Sequence, residues 1–588
     1  MVSGELQKGA GSNGLTKWQY ALILGIPVSA GVVYWYYRRS GGKKKKSDSS
    51  PSDSVKNLEA NSTESNQTRR APEVKRSTKK EAKSEVALTK DKLEEAKTQK
   101  NQGNKFFKEG KFDKAIECYT EAIAVCPNEY TNEIATFYQN RAAAFECLKN
   151  FTEVIKDCSK SIELNKTYVK ALQRRAKAYE LKGELKKCLE DITAVCILEG
   201  FQNQRSLMAT DRVLKSLGKV HAKEVLKKRE VHLPSKHYIF NYFESFCEDP
   251  LAEDLQKFRQ GESPAKNASE LSEYEKAMKC LAEERFEEVV GHCTAQIKSG
   301  EGPQTDLALL LRATFHMLGC LPQKAKEDLK VLLDKGDAVD IKVRVNAMIK
   351  CGTLKLHDDQ IDEALQEFDR AAKLDDRNAD IFMHRGQIFL MQDRVEDTLQ
   401  DLEKSTKLRP DFASALAQRC YAQYRCAMRN DDRQKQNEAL EGFKELQEKF
   451  PTLPESFVLY AQLLTEMQQF DKALEYFRKA QEVDPSDPNI YVHMGLLMIQ
   501  WKQDFNEAVS LLEKAIKKDA KCQFAYESLG SIQVQRGNLR EGLEAFEKAI
   551  QLAQTETEVA HLCALRDAAA AQASVAARLG IPVGPGLQ

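Results

Sequence analysis

Apolar and small residues recur through most of this chain at the three- and four-residue steps of an α-helix, and that pattern itself repeats at a longer interval. Taking Gly103 as position eight of a unit of 34 residues places aromatic side chains at positions eleven and twenty-four and alanines at twenty and twenty-seven, namely Phe106, Tyr119, Ala115 and Ala122. Gly352 and Gly386 repeat the small residue 34 positions apart. Small residues let two helices approach closely, so the pattern predicts helical hairpins that bury their apolar stripes by stacking on one another.

Eleven units of this kind fit the sequence, and their small and aromatic positions resemble those of the tetratricopeptide repeat. Three lie in residues 91–200 and eight in residues 271–588, where an Ala-rich tail follows the last of them. Between residues 201 and 270 the phase is lost and Leu233-Pro234-Ser235 interrupts a helical pattern, so this segment is expected to be a helical connector. The predicted fold class is all-α, a right-handed tetratricopeptide superhelix of three plus eight repeats.

The one long uncharged stretch of the sequence runs from Trp18 to Tyr37. A helix of its 20 residues would span roughly 30 Å, the thickness of the hydrocarbon core of a bilayer, so it is expected to be a single transmembrane helix. Basic residues follow it, in Arg38, Arg39 and the lysines of 43–46, which places residues 1–17 across the membrane from the bulk of the chain in the cytosol. A cleaved signal peptide and a buried helix fit less well, because a signal peptide is basic before its apolar core and that core is shorter.

The composition of the chain predicts a disordered linker and excludes several classes of protein and site. Residues 38–90 are polar and charged with hardly any large apolar side chain, so they are expected to form a disordered basic linker. A net charge of +1 with 30% charged residues excludes a general nucleic-acid binder. The 15 cysteines include no Cys-x-x-Cys pair, which indicates reduced thiols and neither disulfides nor a metal site. No phosphate-binding loop or nucleophile elbow occurs, so we expect neither an enzyme nor a cofactor.

Five polar side chains in the first three repeats are candidates for a peptide-binding site. In a helix that turns about 100° per residue, repeat positions four, seven, eight and eleven face the packed side, and positions two, five, six and nine face the free side. The free side carries Lys100, Asn104, Asn140, Lys170 and Arg174. Cations can neutralise a terminal carboxylate and an acidic side chain while amides add directed hydrogen bonds, so the set suits the C-terminus of an acidic peptide. Any one of these residues alone would more simply be a solvated surface group.

The same positions of the eight later repeats hold mainly apolar residues. A candidate groove for client proteins is formed by Ile349, Met383, Val458, Leu459, Val492 and Leu496. A concave apolar wall would suit an amphipathic or hydrophobic segment of another protein. Burial between tightly wound neighbouring repeats explains these residues equally well, and the sequence leaves that alternative open.

The set Lys100-x-x-x-Asn104, Asn140 and Lys170-x-x-x-Arg174 resembles the dicarboxylate clamp of chaperone-binding tetratricopeptide domains. The order of anchor, linker, clamp, connector and long array resembles, over essentially the whole chain, the seventy-kilodalton class of preprotein import receptors of the mitochondrial outer membrane. That resemblance implies binding of the C-terminal Glu-Glu-Val-Asp tails of cytosolic seventy- and ninety-kilodalton heat-shock chaperones. It also implies binding of mitochondrial preproteins, especially carriers with internal signals, contact with other subunits of the outer-membrane translocase, and an N-terminus in the intermembrane space.

Two other functions fit the same features. A chaperone-docking receptor of the endoplasmic reticulum would share the mechanism, and the anchors of the two membranes overlap in composition. A scaffold without chaperones would keep the repeats and make no use of the five polar residues. All three are binding proteins, so the sequence favours recognition of other proteins over catalysis.

Overall fold

The structure, a computed structural model, describes residues 78–229, 232–261, 271–358 and 360–580. In those ranges the chain forms 26 α-helices and no β-strand, which confirms the all-α prediction. The predicted transmembrane helix at residues 18–37 lies outside the described residues, as does the linker up to residue 77. None of the described helices combines the length and the apolar character that crossing a membrane requires.

The chain divides into two compact units, and each is described by itself. The described residues of the first unit are 78–214 and 571–580, and those of the second unit are 215–229, 232–261, 271–358 and 360–570. Three helix hairpins make up most of the first unit, at the three predicted repeats, and a further helix begins after them. In chain order these helices are α1 (Thr78–Lys108), α2 (Phe112–Val125), α3 (Thr131–Cys147), α4 (Phe151–Leu164), α5 (Val169–Leu181), α6 (Leu185–Leu198) and α7 (Gln204–Lys228).

The second unit contains eight hairpins, at the eight predicted repeats. Two short helices precede them, α8 (Lys236–Glu244) and α9 (Ala252–Arg259). Ser235 caps α8 by accepting a hydrogen bond from the Tyr238 N–H at 3.3 Å, so the predicted break at Leu233-Pro234-Ser235 is the start of this helix. The paired helices are α10 (Glu273–Ala282), α11 (Phe286–Ser299), α12 (Pro303–Leu318), α13 (Pro322–Asp334), α14 (Ile341–His357), α15 (Ile361–Leu374), α16 (Ala379–Met391), α17 (Val395–Leu408), α18 (Ala413–Arg429), α19 (Arg433–Lys449), α20 (Pro454–Glu466), α21 (Phe470–Val483), α22 (Pro488–Lys502), α23 (Phe505–Lys518), α24 (Gln523–Gln535) and α25 (Leu539–Leu552), and α26 (Glu556–Leu579) follows.

The small and aromatic repeat positions meet where the two helices of a hairpin pack together. A Cβ atom added to Gly103 would lie 2.7 Å from Cε1 of Tyr119, and one added to Gly352 would lie 2.5 Å from Cε2 of Phe368. Contacts this short do not occur between packed side chains, so the rings of Tyr119 and Phe368 leave no room for a side chain at Gly103 and Gly352. The small and aromatic positions of the sequence pattern therefore mark a close contact between the two helices of these hairpins.

Four repeats share a set of ion pairs that we call the arginine staples. Arg175 of α5 donates from Nε and Nη2 to the carboxylate of Asp191 of α6 at 2.7 Å each, and from Nη1 to Ser159 Oγ of the preceding repeat at 2.9 Å. The four staple pairs are Arg141 with Asp157, Arg175 with Asp191, Arg312 with Asp328, and Arg385 with Asp401. Bidentate pairs to buried carboxylates fix the rotation of one helix against the next.

The last turns of α26 complete the core of the first unit. Val575 is buried and Leu579 is partly buried there, beside apolar side chains of the second and third repeats. Those side chains are Ile162, Ala171, Leu172, Ala194, Val195 and Ile197. The Ala-rich end of the chain therefore has a structural role in the unit that carries the predicted clamp.

Candidate functional site

Three helices of the first unit carry the five predicted clamp residues. Lys100 and Asn104 lie one turn apart on α1, Asn140 lies on α3, and Lys170 and Arg174 lie one turn apart on α5. Residues four apart share one face of a helix, so each lysine lies beside its partner on that helix. The staple arginines of α3 and α5 directly follow Asn140 and Arg174 in the sequence, and about 100° of rotation per residue separates the two sets.

The two amide side chains contact each other. Asn140 Nδ2 donates to Asn104 Oδ1 at 3.4 Å, and the Tyr119 hydroxyl donates to the same oxygen at 2.8 Å. Burial raises the pKa of Tyr119 to about 12, so this hydroxyl keeps its proton and its donor role at neutral pH. Because Oδ1 of Asn104 accepts both hydrogen bonds, its Nδ2 is left to donate to an acceptor from outside.

Arg174 reaches from α5 to α3. Its Nε donates to Glu146 Oε2 at 2.7 Å, and its Nη1 donates to the backbone oxygen of Gln139 at 3.4 Å, next to Asn140. Lys177 Nζ donates to the other carboxylate oxygen of Glu146 at 2.8 Å. Burial acts to raise the pKa of Glu146, but the hydrogen bonds from Lys177 and Arg174 outweigh it and hold that pKa below its ordinary value. An ionised Glu146 thus orients the guanidinium, whose Nη2 remains available to a ligand.

The two clamp lysines flank this arrangement. Lys100 is half-buried and Lys170 is exposed, and within the described part of the chain neither ammonium group has a hydrogen bond or an ion pair. The structure thus joins Asn104 to Asn140 and ties Arg174 to the backbone of α3 one residue before Asn140, with Lys100 and Lys170 one helical turn from Asn104 and Arg174. A wall with this charge and these donors can hold an anionic group with several oxygens. Its role in binding a peptide stays a prediction.

Two supporting residues were not identified from the sequence. The repeat pattern predicts a packing role for Tyr119, which occupies the aromatic position twenty-four, yet its hydroxyl also donates a hydrogen bond to Asn104. Glu146 occupies position twelve of the second repeat, which falls near 120° on the same free face at about 100° per residue. Extending the positional test beyond position nine would have found Glu146 as a partner for Arg174.

The residues predicted to line a client groove lie mostly inside the second unit. Five of the six are buried, and Leu496 is half-buried. The five are Ile349, Met383, Val458, Leu459 and Val492. Burial against neighbouring repeats accounts for these five, and contact with a client stays a prediction.

A cavity of about 180 Å³ in the second unit is lined by two of these residues, Met383 and Val458. Glu455 and His493 also line it, and α8 contributes His237. Burial raises the pKa of Glu455, and Nε2 of His493 is buried without a hydrogen-bond partner. A cavity this large admits one bulky side chain but not a helix.

One group of three potential metal ligands occurs among the described residues. Atoms of Cys280, Glu288 and His292 lie within 4.8 Å of one another. Glu288 accepts a hydrogen bond from Arg285 Nη1 at 2.5 Å, and Nδ1 of His292 lies 2.7 Å from Glu273 Oε2. Both side chains therefore already have partners within the protein, and we assign no metal to them.

Known proteins resemble this chain in repeat type and over nearly its full length. Residues 96–129, 352–411, 454–487 and 502–557 match models of the tetratricopeptide repeat. The human mitochondrial import receptor subunit TOM70 is 43% identical over 576 residues, which cover 97% of this chain and 94% of the human protein. The rat protein of the same name is 42% identical over 98% of this chain and 95% of its own length. The crystal structure of yeast Tom70 covers 83% of this chain and 98% of that chain, at 24% identity and a TM-score of 0.45.

Proposed function

This chain belongs to the family of the mitochondrial import receptor subunit TOM70, and on that premise we propose that it docks cytosolic heat-shock chaperones and accepts their preprotein clients. It is a mitochondrial import receptor with a tetratricopeptide fold and not an enzyme. The finer assignments concern three parts of the molecule: the clamp in the first unit, the interior of the second unit, and the membrane segment.

Chaperone docking is supported above all by the contact between Asn104 and Asn140, with free ammonium groups at Lys100 and Lys170 on either side. A tail that ends in Glu-Glu-Val-Asp presents two carboxylates on its last residue, one from the chain terminus and one from the side chain. Two oxyanions so close together need several donors and more than one positive charge within a few ångströms. The clamp residues supply both on three neighbouring helices.

Client binding is assigned to the second unit. The predicted groove residues are apolar, and preproteins in an import-competent state expose apolar segments. The cavity of about 180 Å³ combines apolar side chains such as Met383 and Val458 with a larger number of polar ones, including Glu455. Chaperones would therefore bring such clients to one unit while their tails are held by the other.

The uncharged segment at residues 18–37 is proposed to anchor the receptor in the mitochondrial outer membrane, with the N-terminus in the intermembrane space and the repeats in the cytosol. The mitochondrial names of the relatives support this membrane over the endoplasmic reticulum. Other subunits of the outer-membrane translocase are then the partners that receive the client. Imaging residues 1–60 fused to a fluorescent protein tests the address, and a reticular signal would reject it.

Calorimetric titration of the full-length protein with two versions of one peptide tests the clamp. The first version ends in Glu-Glu-Val-Asp with a free carboxylate, and the second has the same sequence with a C-terminal amide. We expect the amide to lose most of the affinity, because it removes one of the two charges while keeping every side chain. Equal binding of both peptides would refute a clamp for the chain terminus.

A further inference from the structure

Residues 233–249, which we call the inner segment, run through the second unit and contact helices of several repeats. At one end, the backbone oxygen of Leu233 accepts a hydrogen bond from Lys521 Nζ at 3.0 Å, just before α24. At the other end, the N–H groups of Cys247 and Glu248 donate to the two carboxylate oxygens of Asp380 on α16 at 2.8 and 2.9 Å. The inner segment is therefore held at both ends by hydrogen bonds to the repeats.

Between those ends, α8 places apolar residues against the repeats at helical spacing. Ile239 and Phe243 are buried in a core with residues of α10, α12 and α13, and Phe246 is buried in a core with residues of α14 and α16. At the N-terminal end of α8, His237 Nε2 lies 3.5 Å from Asp487 Oδ1. The inner segment thus has the form of an amphipathic helix seated in a groove, with a basic residue near its start.

The side chains of the repeats that contact the inner segment, such as Lys350 and His384, form a groove around it, and this groove contains polar groups that a simple apolar core would lack. Lys350 is fully buried, with Nζ 5.3 Å from the ring centre of Tyr242 and 4.5 Å from that of Phe246, and it donates to Asn346 Oδ1 at 2.5 Å. Nδ2 of Asn346 and Nε2 of His384 are buried without hydrogen-bond partners. A buried polar atom without a partner costs free energy. The inner segment therefore leaves some polar atoms of this groove without hydrogen bonds.

Packing beside the inner segment is also incomplete. The cavity of about 180 Å³ lies on one side of α8, and a smaller cavity of about 80 Å³ is lined by its Tyr238, Tyr242 and Phe246. Native cores leave few voids of this size. A groove with unfilled space and unpaired polar atoms can accommodate a different helix that fills it better.

We propose that the inner segment is a resident, displaceable occupant of this groove, which an incoming amphipathic helix replaces. The incoming ligand is a short helix with large apolar or aromatic residues three and four positions apart and a basic residue near its N-terminal end. Naming a preprotein as the source of that helix rests on the proposed import function. The groove itself does not depend on that function.

A tethered occupant competes strongly because its effective concentration is on the order of millimolar. The apparent affinity for an outside helix is then reduced by the small fraction of molecules in which the groove is open. Weakening the inner segment without touching the groove should therefore increase binding. If the inner segment were purely structural, weakening it would damage the groove and reduce peptide binding.

The test uses the full-length protein in detergent and a fluorescein-labelled synthetic peptide of residues 233–249. The double substitution Tyr242→Ala with Phe246→Ala removes two rings of the inner segment and leaves every groove residue in place. We expect fluorescence anisotropy to show peptide binding at least tenfold tighter than to the parent protein. Lys236→Ala, an exposed change on the same helix, is the matched control and should bind like the parent.

Circular dichroism establishes that the variants are folded, and Phe246→Ala alone replaces the double variant if that variant does not fold. The single variant should change the affinity in the same direction by a smaller factor. Unchanged or weaker peptide binding by a folded variant overturns the proposal.

Competition by an unlabelled amphipathic helix from a preprotein then tests the source of the ligand. Displacement of the labelled peptide supports a preprotein helix. Tighter peptide binding without displacement would keep the groove as a helix site and overturn its assignment to clients, while the chaperone-tail titration remains a separate measurement.

Discussion

Asn104 and Asn140 stand 36 residues apart in the sequence and share a hydrogen bond of 3.4 Å between their side-chain amides. They belong to neighbouring repeats, so their contact depends on how α1 and α3 are held by the helices between them. Tyr119 on α2 fixes the α1 side of this contact, since its hydroxyl donates to Asn104 while its ring packs on Gly103. Clamp geometry and hairpin packing are therefore coupled through one side chain.

Gly103→Ala tests this coupling. The added methyl group would meet the Tyr119 ring at 2.7 Å, so we expect a loss of about 1 to 3 kcal/mol in the free energy of unfolding and weaker binding of a chaperone-tail peptide. Gly291→Ala is the control, because this helical glycine has open space around it and alanine should stabilise its helix by up to about 1 kcal/mol. Urea unfolding and calorimetry measure the two effects. Unaltered stability and affinity in Gly103→Ala would show that the ring moves aside freely.

Arg174→Ala should weaken binding of a peptide that ends in Glu-Glu-Val-Asp by about 1.5 to 3 kcal/mol, the typical contribution of a charge-assisted hydrogen bond. That range corresponds to roughly ten- to hundredfold in the dissociation constant measured by calorimetry. Lys177→Ala is the matched control, since Lys177 binds the same Glu146 from the same helix but is not a clamp residue. Equal losses in both variants would assign the effect to Glu146 and the general charge of α5 rather than to the clamp.

Asp191→Ala removes one half of an arginine staple. The Asp191 side chain is 2% exposed and that of Arg175 is 14% exposed, so the substitution leaves a buried guanidinium without its carboxylate. We expect the free energy of unfolding to fall by about 3 to 5 kcal/mol. Glu163→Ala breaks an exposed pair with Lys160 on α4 and should leave the unfolding curve where it was. A small effect of Asp191→Ala would mean that Arg175 finds another partner.

Because His493 is buried, we expect the free energy of unfolding to fall at acidic pH. Burial lowers the pKa of His493 to about 4, from an ordinary value of about 6.5, so below pH 6.5 the unfolded chain takes up a proton that the folded one resists. The contribution of His493 to the free energy of unfolding is therefore fully present above pH 6.5. It is lost as the pH falls towards 4, by about 2 kcal/mol between pH 7 and 5. Burial also lowers the pKa of His357 and that of His384 to about 4, so urea unfolding at the two pH values isolates the part due to His493 only when the parent is compared with a His493 variant. His493→Phe, which keeps a ring beside Phe477, should reduce the change by that amount, and an identical pH dependence would contradict the assignment.

The repeat architecture could be predicted from the sequence, as could the helix faces of the five polar residues, because both follow a local period. Gly103 and Tyr119 are 16 residues apart, and the contact that relates them recurs in other repeats. The interior of the second unit was not readable in this way. Cys247 binds Asp380 across 133 residues, and no periodic signal marks such a pair. Met383 therefore looked like the wall of an open groove, although the inner segment lies beside it and the side chain is buried.

Because Val575 packs in one core with Leu172, the third repeat cannot complete its core until residue 575 has been synthesised. These residues are about 400 positions apart, and ribosomes add about 5 to 20 residues per second, so the third repeat waits on the order of 20 to 80 seconds for its final partner. During that time its apolar edge is uncovered on the nascent chain. A premature stop codon that removed only the last 20 residues would impair the unit nearest the other end of the polypeptide.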